Sequence, residues 1–134
     1  MKKVFVDTGA WYALVDKKDP DHKSARNFLL TNRLPLLTTN FIFDEIVTLL
    51  RSHLGWSVAK EFGLKIKDSN LADIIPVKDE DEAKGWEIFL DFKDKDFSYT
   101  DCTSFAVMER FSIDNVFTFD KHFSQYGKFI VMPS

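Results

Sequence analysis

Two short apolar runs in this chain end at an aspartate: Val4, Phe5 and Val6 lead into Asp7, and Val116, Phe117, Thr118 and Phe119 lead into Asp120. Two further acids stand at telling positions. Glu45 has Phe41, Ile42, Thr48 and Leu49 as helical neighbours, which predicts a partly buried carboxylate, costly unless paired or metal-bound. Asp101 follows Ser98 by three residues, at a helix start where the dipole keeps a carboxylate ionised. Carboxylates brought together raise one another's pKa and repel unless a cation compensates. Oxygen-only donors suit Mg²⁺ or Mn²⁺, which keep several waters and take few protein carboxylates beside substrate phosphate oxygens. Such an ion polarises a phosphodiester and lowers the pKa of an attacking water, so no histidine or cysteine is needed.

Each acid also has a structural explanation. Asp7 could simply cap the helix after it, and Asp101 could complete a capping box with Ser98. Glu45 could pair with Arg51 or a lysine, and its neighbour Asp44 has less claim to a role. The run Asp79 to Glu82 reads as the negative first turn of a helix, and Asp96 as a less certain additional acid. His22 reads as a surface or locally hydrogen-bonded histidine, and Cys102 as a small buried hydrophobe.

The acids need elements to position them. Val4 to Val6 suits a strand covered on both faces; Gly9 breaks the run, and Ala10, Trp11, Ala13, Leu14 and Val15 follow with helical spacing. Asp7 therefore stands at a strand-to-helix turn, and ligands of open α/β sheets bind outside the carboxyl ends of strands. Asp19 and Pro20 predict the start of a second helix with Ala25, Phe28 and Leu29 on its stripe. Leu36 to Thr38 reads as extended, before a long helix capped by Thr39 or Asn40, striped by Ile42, Ile46, Leu49, Leu50 and His53, and ended by Gly55. Ser57 opens a fourth helix carrying Val58, Ala59, Phe62 and Ile66. Ala72 to Pro76 forms a strand, then Asp79 and Glu82 make a capping-box-like start to a helix bearing Ala83, Trp86, Phe89 and Leu90. A helix from Ser98, a strand over Val116 to Phe119, a short turn or helix before Gly127 and a strand over Phe129 to Met132 complete the reading. Strands alternating with helices predict an α/β fold with a mainly parallel central sheet flanked by helices, in one domain spanning 1–134. Strands lying side by side would bring Asp7 and Asp120 together, with Asp101 and Glu45 reaching them from helices.

A length of 134 residues, 45% hydrophobic with 14 Phe, supplies one core and no case for disorder. The net charge of -3 argues against a generic basic nucleic-acid binder. Lysines around a cation-loaded acidic pocket could still grip a polyanion; Lys17, Lys18, Lys93, Lys95, Lys121 and Arg51 are candidates for such a rim. The single cysteine forms no internal disulfide and fits a reducing cytoplasm. Met1, Lys2 and Lys3 resemble a signal-peptide start, but Asp7 interrupts the apolar run, and no stretch is long enough to span a membrane.

Val-Asp-Thr-Gly-Ala-Trp at 6 to 11, Asp-Glu-Ile-Val-Thr at 44 to 48, Phe-Ser-Tyr-Thr-Asp-Cys at 97 to 102 and Phe-Thr-Phe-Asp-Lys-His-Phe at 117 to 123 closely resemble the PIN domain. No single motif is specific; the four acids in order across the whole chain carry the likeness. The resemblance implies a Mg²⁺- or Mn²⁺-dependent endoribonuclease with Asp7, Glu45, Asp101 and Asp120 in the family's acidic positions and Thr118 as a supporting hydroxyl. It further implies the toxin of a VapBC-type toxin-antitoxin pair, neutralised by a small antitoxin and forming a homodimer. A PIN ribonuclease of RNA processing or decay, and a PIN scaffold that binds RNA or protein without cutting, are the alternatives. An aspartyl phosphotransferase of the haloacid dehalogenase type would want an acid where Gly9 stands, and a nucleotide-binding loop would want more glycines than Asp7-Thr8-Gly9-Ala10 contains.

Overall fold

The computed structural model describes residues 2–133; Met1 and Ser134, the ends of the expected 1–134 domain, lie outside the described residues. The elements run β1 (Val4–Val6), α1 (Thr8–Val15), α2 (His22–Thr31), β2 (Leu36–Thr39), α3 (Asn40–Leu54), α4 (Trp56–Asp68), β3 (Ala72–Ile75), α5 (Asp79–Asp91), α6 (Tyr99–Arg110), β4 (Asn115–Phe117), α7 (Lys121–Tyr126) and β5 (Ile130–Met132). The strands form one sheet in the order β3-β2-β1-β4-β5, with every pairing parallel. The expected α/β fold with a central parallel sheet is what the chain adopts.

β1 lies in the middle because its side chains are apolar on both faces: Val4, Phe5 and Val6 are fully buried. The chain then builds outward in one direction through β2 and β3, returns, and adds β4 and β5 on the other side of β1. The β1–β4 boundary is thus the switch point of the sheet, where neighbouring connections leave in opposite directions and open a crevice at the carboxyl ends. Asp7 and Asp120 follow these two strands directly or nearly so.

Several element boundaries and faces differ from expectation. α2 begins at His22 rather than at the Asp19–Pro20 pair, because Asp19 Oδ1 spends itself on the Asp21 amide at 2.8 Å, closing a turn. α4 begins at Trp56, one residue before Ser57: Gly55, at φ 98°, ends α3 and flanks α4 at once, a backbone conformation that needs glycine. Gly9 does not interrupt anything but sits in the first turn of α1, which starts at Thr8. β4 stops at Phe117, because Thr118 turns its hydroxyl to the aspartates and Asp120 caps α7. β5 begins at Ile130 rather than Phe129.

Two helices turn differently. On α3 the buried stripe is Ile42, Ile46 and Leu50, with Leu49 half-buried, and His53 is exposed, its ring edge-on to Tyr12 at 5.8 Å. On α5 the expected stripe of Ala83, Trp86, Phe89 and Leu90 faces out, and Asp81, Gly85 and Ile88 face in. α6 sets this orientation. A Cβ on Gly85 would lie 3.0–3.1 Å from Thr103, backbone included, so the two helices meet where the side chain is missing. Asp81 is drawn the same way, accepting from Arg110 Nε and Nη2 at 2.7 and 2.8 Å, and it takes the Lys78 amide at 2.9 Å in place of an Asp79–Glu82 box. Burial pushes the Asp81 carboxyl up, but Arg110 and the Lys78 amide outweigh it and hold it below the usual carboxylate range.

Candidate active site

Asp7, Asp101 and Asp120 each stand at the amino end of a helix. Asp7 is the N-cap of α1, its Oδ1 accepting the Thr8 amide at 2.7 Å. Asp101 is the third residue of α6 and exchanges hydrogen bonds with Ser98: its Oδ2 accepts the Ser98 amide at 2.9 Å, and Ser98 Oγ accepts the Asp101 amide at 3.0 Å. Asp120 caps α7 through the His122 amide at 3.0 Å. The capping readings of Asp7 and Asp101 are therefore correct as local structure. They do not compete with a shared site. Three helix amino ends point at one crevice, and their partial positive charge offsets part of the repulsion among the acids.

The convergence is direct. Thr118 Oγ donates to Asp7 Oδ2 at 2.8 Å and accepts the Asp120 amide at 3.0 Å, tying the two strand-end acids together. Burial, with Asp101 and Asp120 adding to it and the Thr118 and Thr8 hydrogen bonds opposing, pushes the Asp7 carboxyl up to about 7. Burial also raises Asp101, against the Ser98 amide and the nearby His122 ring, with Asp120 adding to the rise. Asp7 and Asp101 are buried, at 6% and 8% exposure, and Asp120 is half-buried.

Glu45 differs from expectation: it is exposed, not partly buried, since the groove it borders beside Phe41, Thr48, Leu49 and Thr100 opens to solvent. Its Oε1 accepts from Thr8 Oγ at 2.6 Å, so the residue after Asp7 ties Glu45 to the same corner, and no Arg51 salt bridge forms among the described residues. Asp44 lines that groove too, exposed. Asp96 is exposed in the loop before α6, and its carboxylate joins none of these contacts.

The histidine at 122 was not among the acids singled out from sequence, yet its Nδ1 lies 2.8 Å from Asp101 Oδ2 and 3.0 Å from Asp120 Oδ2. Asp101, Asp120 and His122 offer three ligand atoms within 4.8 Å of one another. The signal for it was its spacing, two residues after a strand-end acid that caps a short helix. Thr8 was likewise legible only as the neighbour of Asp7. His22 has the local role expected, its Nδ1 2.7 Å from the Ala13 carbonyl. Cys102 is buried, and burial pushes its thiol up to about 11, the state of an inert core residue. Of the rim cations, Lys121 adjoins Asp120, whereas Lys17 and Lys18 lie beyond the far end of α1, and Lys95 pairs with Asp94 at 3.6 Å.

A larger cavity of about 820 Å³, lined by Lys2, Lys3, Asp114, Asn115 and Ile130 among others, opens at the amino ends of β1, β4 and β5. It lies at the opposite end of the sheet from Asp7 and Asp120, which follow β1 and β4 at their carboxyl ends.

The chain is 32% identical over 130 residues to the 23S rRNA-specific endonuclease VapC20 of Mycobacterium tuberculosis, a match covering 97% of this chain and 98% of VapC20. The crystal structure of VapC20, described as a sarcin-ricin loop cleaving toxin, superposes with a TM-score of 0.89 at 31% identity over 95% of this chain and 96% of that one. FitAcB from Neisseria gonorrhoeae shares the fold, with a TM-score of 0.73 at 15% identity over 96% of this chain and 95% of that one. The PIN domain family model matches residues 4–129, and with 32% identity to VapC20 over 97% of the chain, this chain belongs to the PIN domain family.

Proposed function

We propose that this chain is a divalent-metal-dependent endoribonuclease, the toxin of a toxin-antitoxin pair, with Mg²⁺ or Mn²⁺ as its ion. One observation carries the reading: the Thr118 hydroxyl ties Asp7 to the Asp120 amide, and ligand atoms of Asp101, Asp120 and His122 lie within 4.8 Å of one another. Burial foremost, with Asp101 and Asp120 adding to it, pushes Asp7 up to about 7. Beside them the Nδ1 of His122 is buried without a hydrogen bond. A set of acids only partly compensated by the helix amino ends fits a cation. Asp7, Asp101 and Asp120, with Glu45 at the rim, would hold it. A cation there would polarise the phosphodiester and lower the pKa of an attacking water.

The residues themselves divide the remaining work. Thr118 fixes Asp7 and the start of α7 in one arrangement, so the site need not reorganise when RNA arrives. Glu45 is the acid open to solvent, held at one oxygen by Thr8, and in this reading would take a proton from the water that attacks. The groove along α3, with Phe41 and Leu49 between polar groups, would take a nucleotide beside the scissile phosphate.

The identity to VapC20 supports 23S rRNA as the first substrate to test and a small antitoxin as the partner. The outward apolar face of α5, with Trp86 at 52% and Leu90 at 59% exposure, supports a homodimer. No helix among the described residues is long and apolar enough to cross a membrane, and the lone buried Cys102 suits a reducing cytoplasm as the place of action. Purified protein incubated with a pool containing rRNA and tRNA should cut endonucleolytically with Mg²⁺ or Mn²⁺ and stop with EDTA. A pool left intact with either ion would favour a non-cutting scaffold. Growth arrest on expression, relieved by an adjacent small open reading frame, separates a toxin from a processing ribonuclease.

A further inference from the structure

The geometry points to the Nδ1 of His122 as a direct ligand of the cation, completing with Asp101 and Asp120 a face of mixed oxygen and nitrogen donors. This rests on the metal reading above and extends it to a residue outside the acidic set. The Nδ1 is buried, and although it lies 2.8 and 3.0 Å from two carboxylate oxygens, its in-plane direction makes a hydrogen bond to neither. Those separations have another meaning. Ligands on adjacent corners of an octahedron with metal bonds of about 2.1 Å stand about 3 Å apart, and each then lies well off the line from its neighbour to the metal. Close approach without hydrogen-bond alignment is what adjacent ligands of one ion display.

The ring is held for this use. Phe97, itself buried, packs edge-on against it at 5.6 Å, and the His122 amide occupies Asp120 Oδ1, which turns Oδ2 toward the ring. The chemical consequence is selectivity. Imidazole nitrogen suits first-row transition ions better than Mg²⁺, so replacing one oxygen by His122 tilts the site toward Mn²⁺.

The test loads the full chain with Mn²⁺ and records pulsed electron paramagnetic resonance. A directly bound ¹⁴N coupling is expected, converting to the ¹⁵N pattern when the protein carries ¹⁵N-histidine. His122→Phe keeps a ring against Phe97 while removing the nitrogen. In that variant the coupling should vanish, and Mn²⁺ affinity should fall by about tenfold or more while Mg²⁺ affinity changes much less. Bound Mn²⁺ without nitrogen coupling in the wild type overturns the assignment and leaves the metal site standing on its carboxylates alone. Absence of Mn²⁺ binding overturns both. The wild-type spectra decide the matter even where the variant does not fold, since isotope labelling alters no contact.

Discussion

The Thr118 hydroxyl and the Asp7 carboxylate form a buried hydrogen bond of 2.8 Å between residues separated by 111 positions in the chain. The same hydroxyl takes the Asp120 amide, so one oxygen aligns both strand-end acids. Thr118→Val keeps the shape and removes both bonds. It should cost on the order of 1–3 kcal/mol in urea melts, because a carboxylate and an amide lose their partner. Losing that donor also raises the Asp7 pKa further, so the acid limb of the cleavage pH profile should move to higher pH.

Asp7 makes the metal-free protein's stability fall with rising pH. The folded chain keeps the Asp7 proton up to about pH 7, whereas a carboxyl at the ordinary 3.8 has already released it. Between those values the folded state binds more protons, so this group's contribution to stability declines as pH rises through the window. Asp7→Asn should remove that slope: thermal melts without metal should show the variant gaining on wild type at pH 8 and differing little at pH 5. Added Mg²⁺ or Mn²⁺ should stabilise wild type more at pH 8, because the ion requires the deprotonated carboxylate.

Asp101 combines a cap and a crowded charge, and Asp101→Asn separates them. The amide oxygen of asparagine can still accept from Ser98, so little capping energy is lost. Metal-free melting temperature should hold or rise as one repelling charge leaves. Stabilisation by metal should shrink, and RNA cleavage should collapse. Equal destabilisation with and without metal, cleavage intact, would reduce Asp101 to a helix cap.

Glu45 is exposed, so Glu45→Gln should leave stability within about 0.5 kcal/mol of wild type. Cleavage should fall by roughly 100-fold or more if it takes the water's proton. Chemical denaturation and single-turnover cleavage on the same preparation check the two halves together. A variant of full activity would move the proton acceptor elsewhere.

The sheet and the strand-end acids were readable because a continuous apolar run followed by an acid has few other uses, as Val4 to Asp7 illustrates. Helix faces were less readable where partners decide them. Trp86, Phe89 and Leu90 look like core by composition, but Asp81 reaching Arg110 and the bare Gly85 against Thr103 turn α5 the other way. Neither contact is visible locally, as the partners lie on another helix. Glu45 was misjudged for a related reason: apolar neighbours along α3 border an open groove, not a packed one. His122 escaped because oxygen donors alone satisfied the chemistry, and only the fold brings its ring to Asp101.

β1 pairs with β4 across more than a hundred residues, and Asp120 and His122 arrive on the segment after β4. During synthesis, Asp7, Glu45 and even Asp101 leave the ribosome before the crevice has its last wall. Such long-range pairing is slow to form. The nascent chain therefore carries its acids apart until β4 has been made and paired with β1, and β5 with β4.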